Sequence, residues 1–103
     1  LITLPVVPDE CTHNAHMFYI KTKNLKQRCD FIEYMKKRGV SCVFHYVPLH
    51  SSPFGRKCSS FCGEDRHTTK TSETLVRLPM YKDLTKDDAD YILENIYSFF
   101  KGE

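Results

Sequence analysis

With 103 residues, 41% of them hydrophobic and 27% charged, the chain is long enough for one domain and too short for a two-domain enzyme. Fifteen Lys and Arg against thirteen Asp and Glu leave a net charge of +2, too balanced for a dedicated nucleic-acid or anionic-membrane binder. Aromatic residues at 13%, with four Gly and five Pro, exclude disordered, collagen-like and low-complexity chains.

Residues 1–13 include Pro5 and Pro8 and have little periodicity, so they read as an extended lead-in, a linker from a preceding domain. The N-terminus lacks Met and the basic leader and apolar centre of a signal peptide, so the chain reads as cut from something longer. Met17 to Thr22, rich in aromatic and β-branched residues, predicts a strand. Asn24 is a good N-cap for a helix carrying Leu25, Cys29, Ile32 and Met35 at helical spacing. Gly39 ends that helix after the basic turn Lys36-Lys37-Arg38. Val40 to Val47 predicts a second strand, and the strand, helix, strand order suggests a helix laid on one face of a small sheet.

From Pro48 to Ser72 no period is visible, and an excursion of about 25 residues is usually functional or disordered. A short helical turn over Ser72 to Val76 and an extended piece over Arg77 to Met80 follow. The last element is a helix with Thr85 as N-cap and Asp88 three residues on. Its apolar stripe is Ala89, Ile92, Leu93, Ile96, Phe99 and Phe100.

Cys11, Cys29, Cys42, Cys58 and Cys62 are odd in number, so a disulfide framework would leave one thiol over. Cys29 and Cys42 fall in periodic apolar segments, where free cysteine acts as a small buried hydrophobe, and a reducing compartment is the simpler reading. No stretch approaches the roughly 18 apolar residues of a membrane span. His13-x-x-His16 and Cys58-x-x-x-Cys62 have spacings that metal sites use but lack the framing turns, so unconnected loop residues outweigh a zinc module. No local signature selects a nucleophilic Cys–His pair. The basic run from Lys21 to Arg38 is broken by Asp30 and Glu33 and reads as a solvated helix face.

His45-Tyr46-Val47-Pro48-Leu49-His50 differs in placing two imidazoles and a phenol where a predicted strand feeds the long loop. Such groups suit a sugar or another polar small molecule. The competing reading is histidines that satisfy backbone groups at a strand end.

Taken with Asn14-Ala15-His16-Met17-Phe18-Tyr19-Ile20-Lys21, Ser51-Ser52-Pro53, Gly63-Glu64-Asp65-Arg66, Thr68-Thr69-Lys70, Ser72-Glu73 and Arg77-Leu78-Pro79, this run resembles the C-terminal region of sugar-nucleotide aminotransferases of the DegT/DnrJ/EryC1/StrS family. Within it the pattern is most similar to the dTDP-4-amino-4,6-dideoxygalactose transaminase type. The resemblance covers nearly the whole chain, in order. It implies an α+β fold, a small antiparallel or mixed sheet covered by helices, as in the small C-terminal domain of a fold-type-I aminotransferase. Residues 1–103 would be that domain, with 1–13 leading in from a large domain absent here.

The resemblance further implies a cytoplasmic homodimer that uses pyridoxal phosphate to move an amino group from glutamate to a dTDP-4-keto-6-deoxy sugar, in supply of a surface polysaccharide. The Schiff-base lysine and the cofactor's other partners would lie in the large domain, so no catalytic, cofactor-binding or metal residue is expected here. This chain alone would then be inactive, with no nucleic-acid or membrane partner. His45, His50 and Tyr46 are the expected substrate-binding residues, and Arg77 reads as a structural salt bridge ahead of an anion holder. Cys58 and Cys62 depart from the family pattern. The alternatives are a stand-alone binding domain derived from the family and the zinc module.

Overall fold

The computed structural model describes residues 2–102. Three strands, β1 (Tyr19–Lys21), β2 (Val43–Phe44) and β3 (Leu75–Arg77), form an antiparallel sheet in the order β1-β3-β2. Helices α1 (Leu25–Lys36) and α4 (Lys86–Lys101) supply the cover, and the short helices α2 (Gly55–Cys58) and α3 (Thr68–Thr74) lie between β2 and β3. This is the α+β arrangement expected.

The register decides which side chains meet the helices. Val76 stands opposite Ile20 on one side and Phe44 on the other, and cross-strand partners project to the same face. Ile20 and Val76 are fully buried on that face with Phe31, Met35, Val40, Cys42 and Ile96. Phe31 is the keystone between the helices: its ring stacks on Phe100 at 5.4 Å and meets Phe99 edge-on at 5.2 Å.

Local chemistry sets the helix ends. The Asn24 side chain caps α1 by accepting from the Gln27 N–H at 2.9 Å, and Gln27 Oε1 accepts from the N–H of the preceding Lys23 at 2.8 Å. Gly39 adopts φ +76°, which lets the Val40 N–H return to the Met35 carbonyl at 3.0 Å and close α1. Thr85 and Asp88 cap α4 reciprocally, and its C-terminus ends on the left-handed Gly102.

Several expectations are corrected. The strand expected over Val40 to Val47 is only Val43–Phe44. Its continuation is lost because the Tyr46 carbonyl accepts from the Ser72 hydroxyl at 2.5 Å, a side chain in place of a neighbouring strand. The central strand is Leu75–Arg77, where a helical turn over Ser72 to Val76 and an extended Arg77 to Met80 were expected; the helix starts earlier, at Thr68, and stops at Thr74. Leu25 and Cys29 are exposed, since α1 turns Phe31 and Met35 inward to meet the aromatic end of α4. Cys42 is buried as expected, and burial pushes its thiol up to about 11, which keeps it an unreactive thiol. The lead-in is tied down at one point, where Thr3 exchanges two backbone hydrogen bonds of 2.9 Å with Lys21 and extends the sheet beyond β1.

The radius of gyration, 15.8 Å, exceeds the roughly 13 Å of a compact chain this long. Residues 6–16 are all exposed. So are Leu49, Phe54 and Tyr46, at 84%, 76% and 71% of their surfaces.

Candidate functional site

The sheet and α3 together build one pocket. Where the chain leaves β2, His45, Tyr46, Val47 and Pro48 form one wall. His67, Thr68, Thr71 and Ser72 form the other, because they recur on one face of α3 at helical spacing. Leu75, the first residue of the central strand, completes the lining, and the pocket measures about 400 Å³. The walls are held together by the Ser72–Tyr46 hydrogen bond already described and by Arg28, whose guanidinium donates to the Ser72 carbonyl at 2.8 Å and lies 5.0 Å from the Phe44 ring centre.

The His45 and Tyr46 rings meet edge-on at 4.4 Å. The Nδ1 atom of His45 is buried with no hydrogen-bond partner among the described residues, a state that costs about 1–3 kcal/mol unless water or another molecule supplies a partner. The arrangement offers hydroxyls, imidazoles and an aromatic face with no charged side chain among the lining residues. It can recognise a neutral polyhydroxylated ring by hydrogen bonds and stacking.

His50 stands apart from that pocket's lining. It belongs to the 3₁₀ turn Leu49–Ser51, and its Nε2 lies 3.1 Å from Asp65 Oδ2 and 3.4 Å from the Thr69 hydroxyl. Its ring packs on Phe61 at 4.6 Å. The Thr69 hydroxyl donates to Asp65 Oδ2 at 2.5 Å, and Asp65 Oδ1 also accepts from the Thr68 N–H at 2.9 Å, capping α3. These hydrogen bonds, the Thr69 hydroxyl first, hold the Asp65 carboxyl below the usual carboxylate range, and the nearby His50 acts in the same direction. The Thr85 hydroxyl lowers Asp88 in the same way at α4.

A carboxylate depressed in the folded state binds protons less readily than when unfolded, so acidification favours unfolding. The two caps contribute fully above about pH 3.9, the ordinary aspartate value, and are lost as pH falls through the lower folded values. Unfolding midpoints measured from pH 5 to pH 2 should therefore fall more steeply in the native protein than in Asp65→Asn. Parallel profiles would remove the role of that cap.

Other singled-out residues make no such assembly. Among the described residues, no three His, Cys, Asp or Glu gather as a metal site. His13 Nδ1 accepts from the Ala15 N–H at 2.9 Å, and Cys58 Sγ donates to the Phe54 carbonyl at 3.3 Å. Arg77 forms no ion pair among the described residues, contrary to expectation; it lies in β3 between Tyr19 and Val43. No helix of the described residues is long and apolar enough to cross a membrane.

Pyridoxal phosphate needs a lysine amine and a cradle of donors for its phosphate. The lining residues include no lysine and no arginine. They do not fit that group.

His67, Thr68, Thr71 and Ser72 were not anticipated as lining residues. The signal available was the helical spacing of 68, 71, 72 and 75, masked by a threonine-rich composition that disfavours helix in isolation.

The sequence pattern of the DegT/DnrJ/EryC1/StrS aminotransferase family matches residues 1–97. The chain is 27% identical to the spore coat polysaccharide biosynthesis protein SpsC of Bacillus subtilis, over 99% of this chain and 27% of that protein. Among solved structures it resembles the aminotransferase TlmJ of Streptoalloteichus hindustanus, with TM-score 0.84 and 18% identity over 98% of this chain and 26% of that one. It also resembles NtdA of Bacillus subtilis, solved with bound cofactor PMP, with TM-score 0.76 and 25% identity over 97% of this chain and 23% of that one. The chain spans about a quarter of the length of the curated relatives it matches.

Proposed function

Because the chain belongs to the DegT/DnrJ/EryC1/StrS aminotransferase family, we infer that it is the C-terminal, substrate-side domain of a sugar aminotransferase. The reading extends to a dTDP-4-keto-6-deoxy sugar as acceptor and glutamate as amino donor, in a cytoplasmic homodimer that serves surface polysaccharide synthesis. SpsC, named for spore coat polysaccharide biosynthesis, supports the last element by likeness.

The observation that carries the reading is the pocket of His45, Tyr46, His67, Thr68, Thr71 and Ser72. Its uncharged donors and acceptors suit a deoxy sugar, whose hydroxyls give and take hydrogen bonds and whose methyl group tolerates the apolar Val47, Pro48 and Leu75. In this reading the pocket binds and orients the sugar and excludes water from one side of it, and the amino-group chemistry belongs to the cofactor. NtdA with its bound PMP supports a pyridoxal-type cofactor for the parent. The cofactor's own partners are then in the portion of the parent that precedes this domain. Exposed Leu49 and Phe54, in the segment that follows Pro48, give that portion or a second subunit an apolar surface to cover.

The test is turnover. The full-length parent, supplied with pyridoxal phosphate, glutamate and the dTDP-4-keto-6-deoxy sugar, should yield the dTDP-4-amino sugar and 2-oxoglutarate by mass spectrometry. The 103-residue chain alone should yield none. Failure of the full-length protein to aminate any nucleotide-linked keto sugar contradicts the reading.

A further inference from the structure

We propose that the open face of the sheet is the docking surface for the portion of the parent that precedes this domain, and that Lys21 and Arg77 receive carboxylates from it. The inference rests on the C-terminal-domain reading above and names the surface that meets the domain's partner.

Side chains alternate across a strand, so the neighbours of the inward-facing Ile20 and Val76 project away from the core. They form two rows. Tyr19, Arg77 and Val43 stand opposite one another, and Lys21 stands opposite Leu75. Ile20 and Val76 are 1% and 0% exposed, whereas Val43 is 47% exposed and Tyr19, Lys21 and Arg77 are half-buried. Of these five, Leu75 alone is buried.

The solvated face of an antiparallel sheet is ordinarily polar. Here Tyr19, Val43 and Leu75 are largely apolar, and the two charged residues are both cations, with no acid in either row. Neither Lys21 nor Arg77 forms an ion pair among the described residues. Neither lines the pocket of His45, so they address a surface and not a small molecule held there. Covering such a face takes the cations out of water, which is costly unless each gains an opposite charge. The cover must therefore present carboxylates beside apolar groups.

Charge also selects the occupant. A two-fold interface uses the same patch on both subunits. A second copy docked through this face would set Lys21 and Arg77 against their own counterparts, and like charges in apposition repel. The preceding portion is at hand, because the chain reaches the sheet through Thr3, whose N–H and carbonyl both bond to Lys21. Interfaces between domains of one chain are more polar than obligate ones, which suits a face that mixes Tyr19 and Val43 with two charges.

The experiment is lysine footprinting and carbodiimide cross-linking of the full-length native protein, read by peptide mass spectrometry. Acetylation of Lys21 should run about tenfold slower than in the same protein unfolded in urea, the factor for a contact held closed by about 1.4 kcal/mol. The exposed Lys82 should label at close to its unfolded rate. Carbodiimide joins an amine to a carboxylate in contact with it, with loss of water, and should link Lys21 to an Asp or Glu upstream of residue 1. Arg77→Gln should reduce the protection of Lys21 about fivefold, the loss of one ion pair of about 1 kcal/mol; unchanged protection would overturn the role of Arg77. Lys21 labelled as readily as Lys82 overturns the proposal. So does protection that appears only when glutamate or nucleotide sugar is added, protection without an upstream cross-link, or a cross-link from Lys21 to a second copy in a mixed ¹⁴N/¹⁵N sample. A native chain of only 103 residues would sink the C-terminal-domain reading and the interface together, whereas a longer chain with Lys21 free sinks the interface alone.

Discussion

Replacing Phe31 by alanine should destabilise the protein by about 3–5 kcal/mol, the range for deleting a buried phenylalanine. The ring is fully buried and holds α1 against α4 through Phe99 and Phe100, which stack or meet edge-on with it. Both partners are only partly buried in their own right, so neither can collapse inward to fill the space without pulling α4 from the sheet. Total stability of a small domain is about 5–15 kcal/mol, so the loss is a large share. Denaturant titration followed by circular dichroism measures it. A change below about 1 kcal/mol would mean that the helices are not joined through this ring.

Gly55→Ala should act more locally and reach the site. A methyl group there would lie 1.7 Å from the Leu49 carbonyl oxygen, 2.8 Å from its carbon and 2.9 Å from Ser52 Oγ. The obstacle is backbone, so the 3₁₀ turn must move. That oxygen also accepts from the Ser52 N–H at 3.2 Å and the Ser52 hydroxyl at 2.8 Å, so the turn loses its own closure. Overpacking of this kind costs about 1–3 kcal/mol, occasionally more. The cost falls on residues 49–59, next to His50, and leaves the distant α1–α4 core in place. Hydrogen exchange should quicken across that segment and stay unchanged in α1 and α4. Unchanged exchange throughout would contradict the packing described.

What could be read from the residues divides along physical lines. Both long helices were legible because each carries a side-chain cap and an apolar face several turns long, as with Thr85, Asp88 and the stripe ending at Phe99 and Phe100. The face of α1 was read half right. Met35 is buried and Ile32 packs against the core as expected, but Leu25 and Cys29 are exposed and Phe31 takes the inward place, a choice made by α4, far away in sequence.

The central strand was harder. Leu75–Arg77 is three residues long and follows directly on a helix, so its strand state is set by pairing with β1 and β2. The site was half legible. His45 and Tyr46 stood out as polar groups at a strand exit, whereas the opposing wall depends on Asp65 capping a threonine-rich helix, a bond no local pattern announces. His50 lies beside Asp65 in a cluster of its own, because the chain turns at Leu49–Ser51 before α2.

The central claim is that the wall beginning at His45 binds the sugar half of the substrate. The most direct measurement is steady-state kinetics of the full-length enzyme carrying His45→Ala or Tyr46→Phe, with nucleotide sugar and glutamate varied independently. A sugar KM raised about tenfold or more with the glutamate KM unchanged is the predicted result. A sugar KM equal to that of the unmutated enzyme in both variants would contradict it.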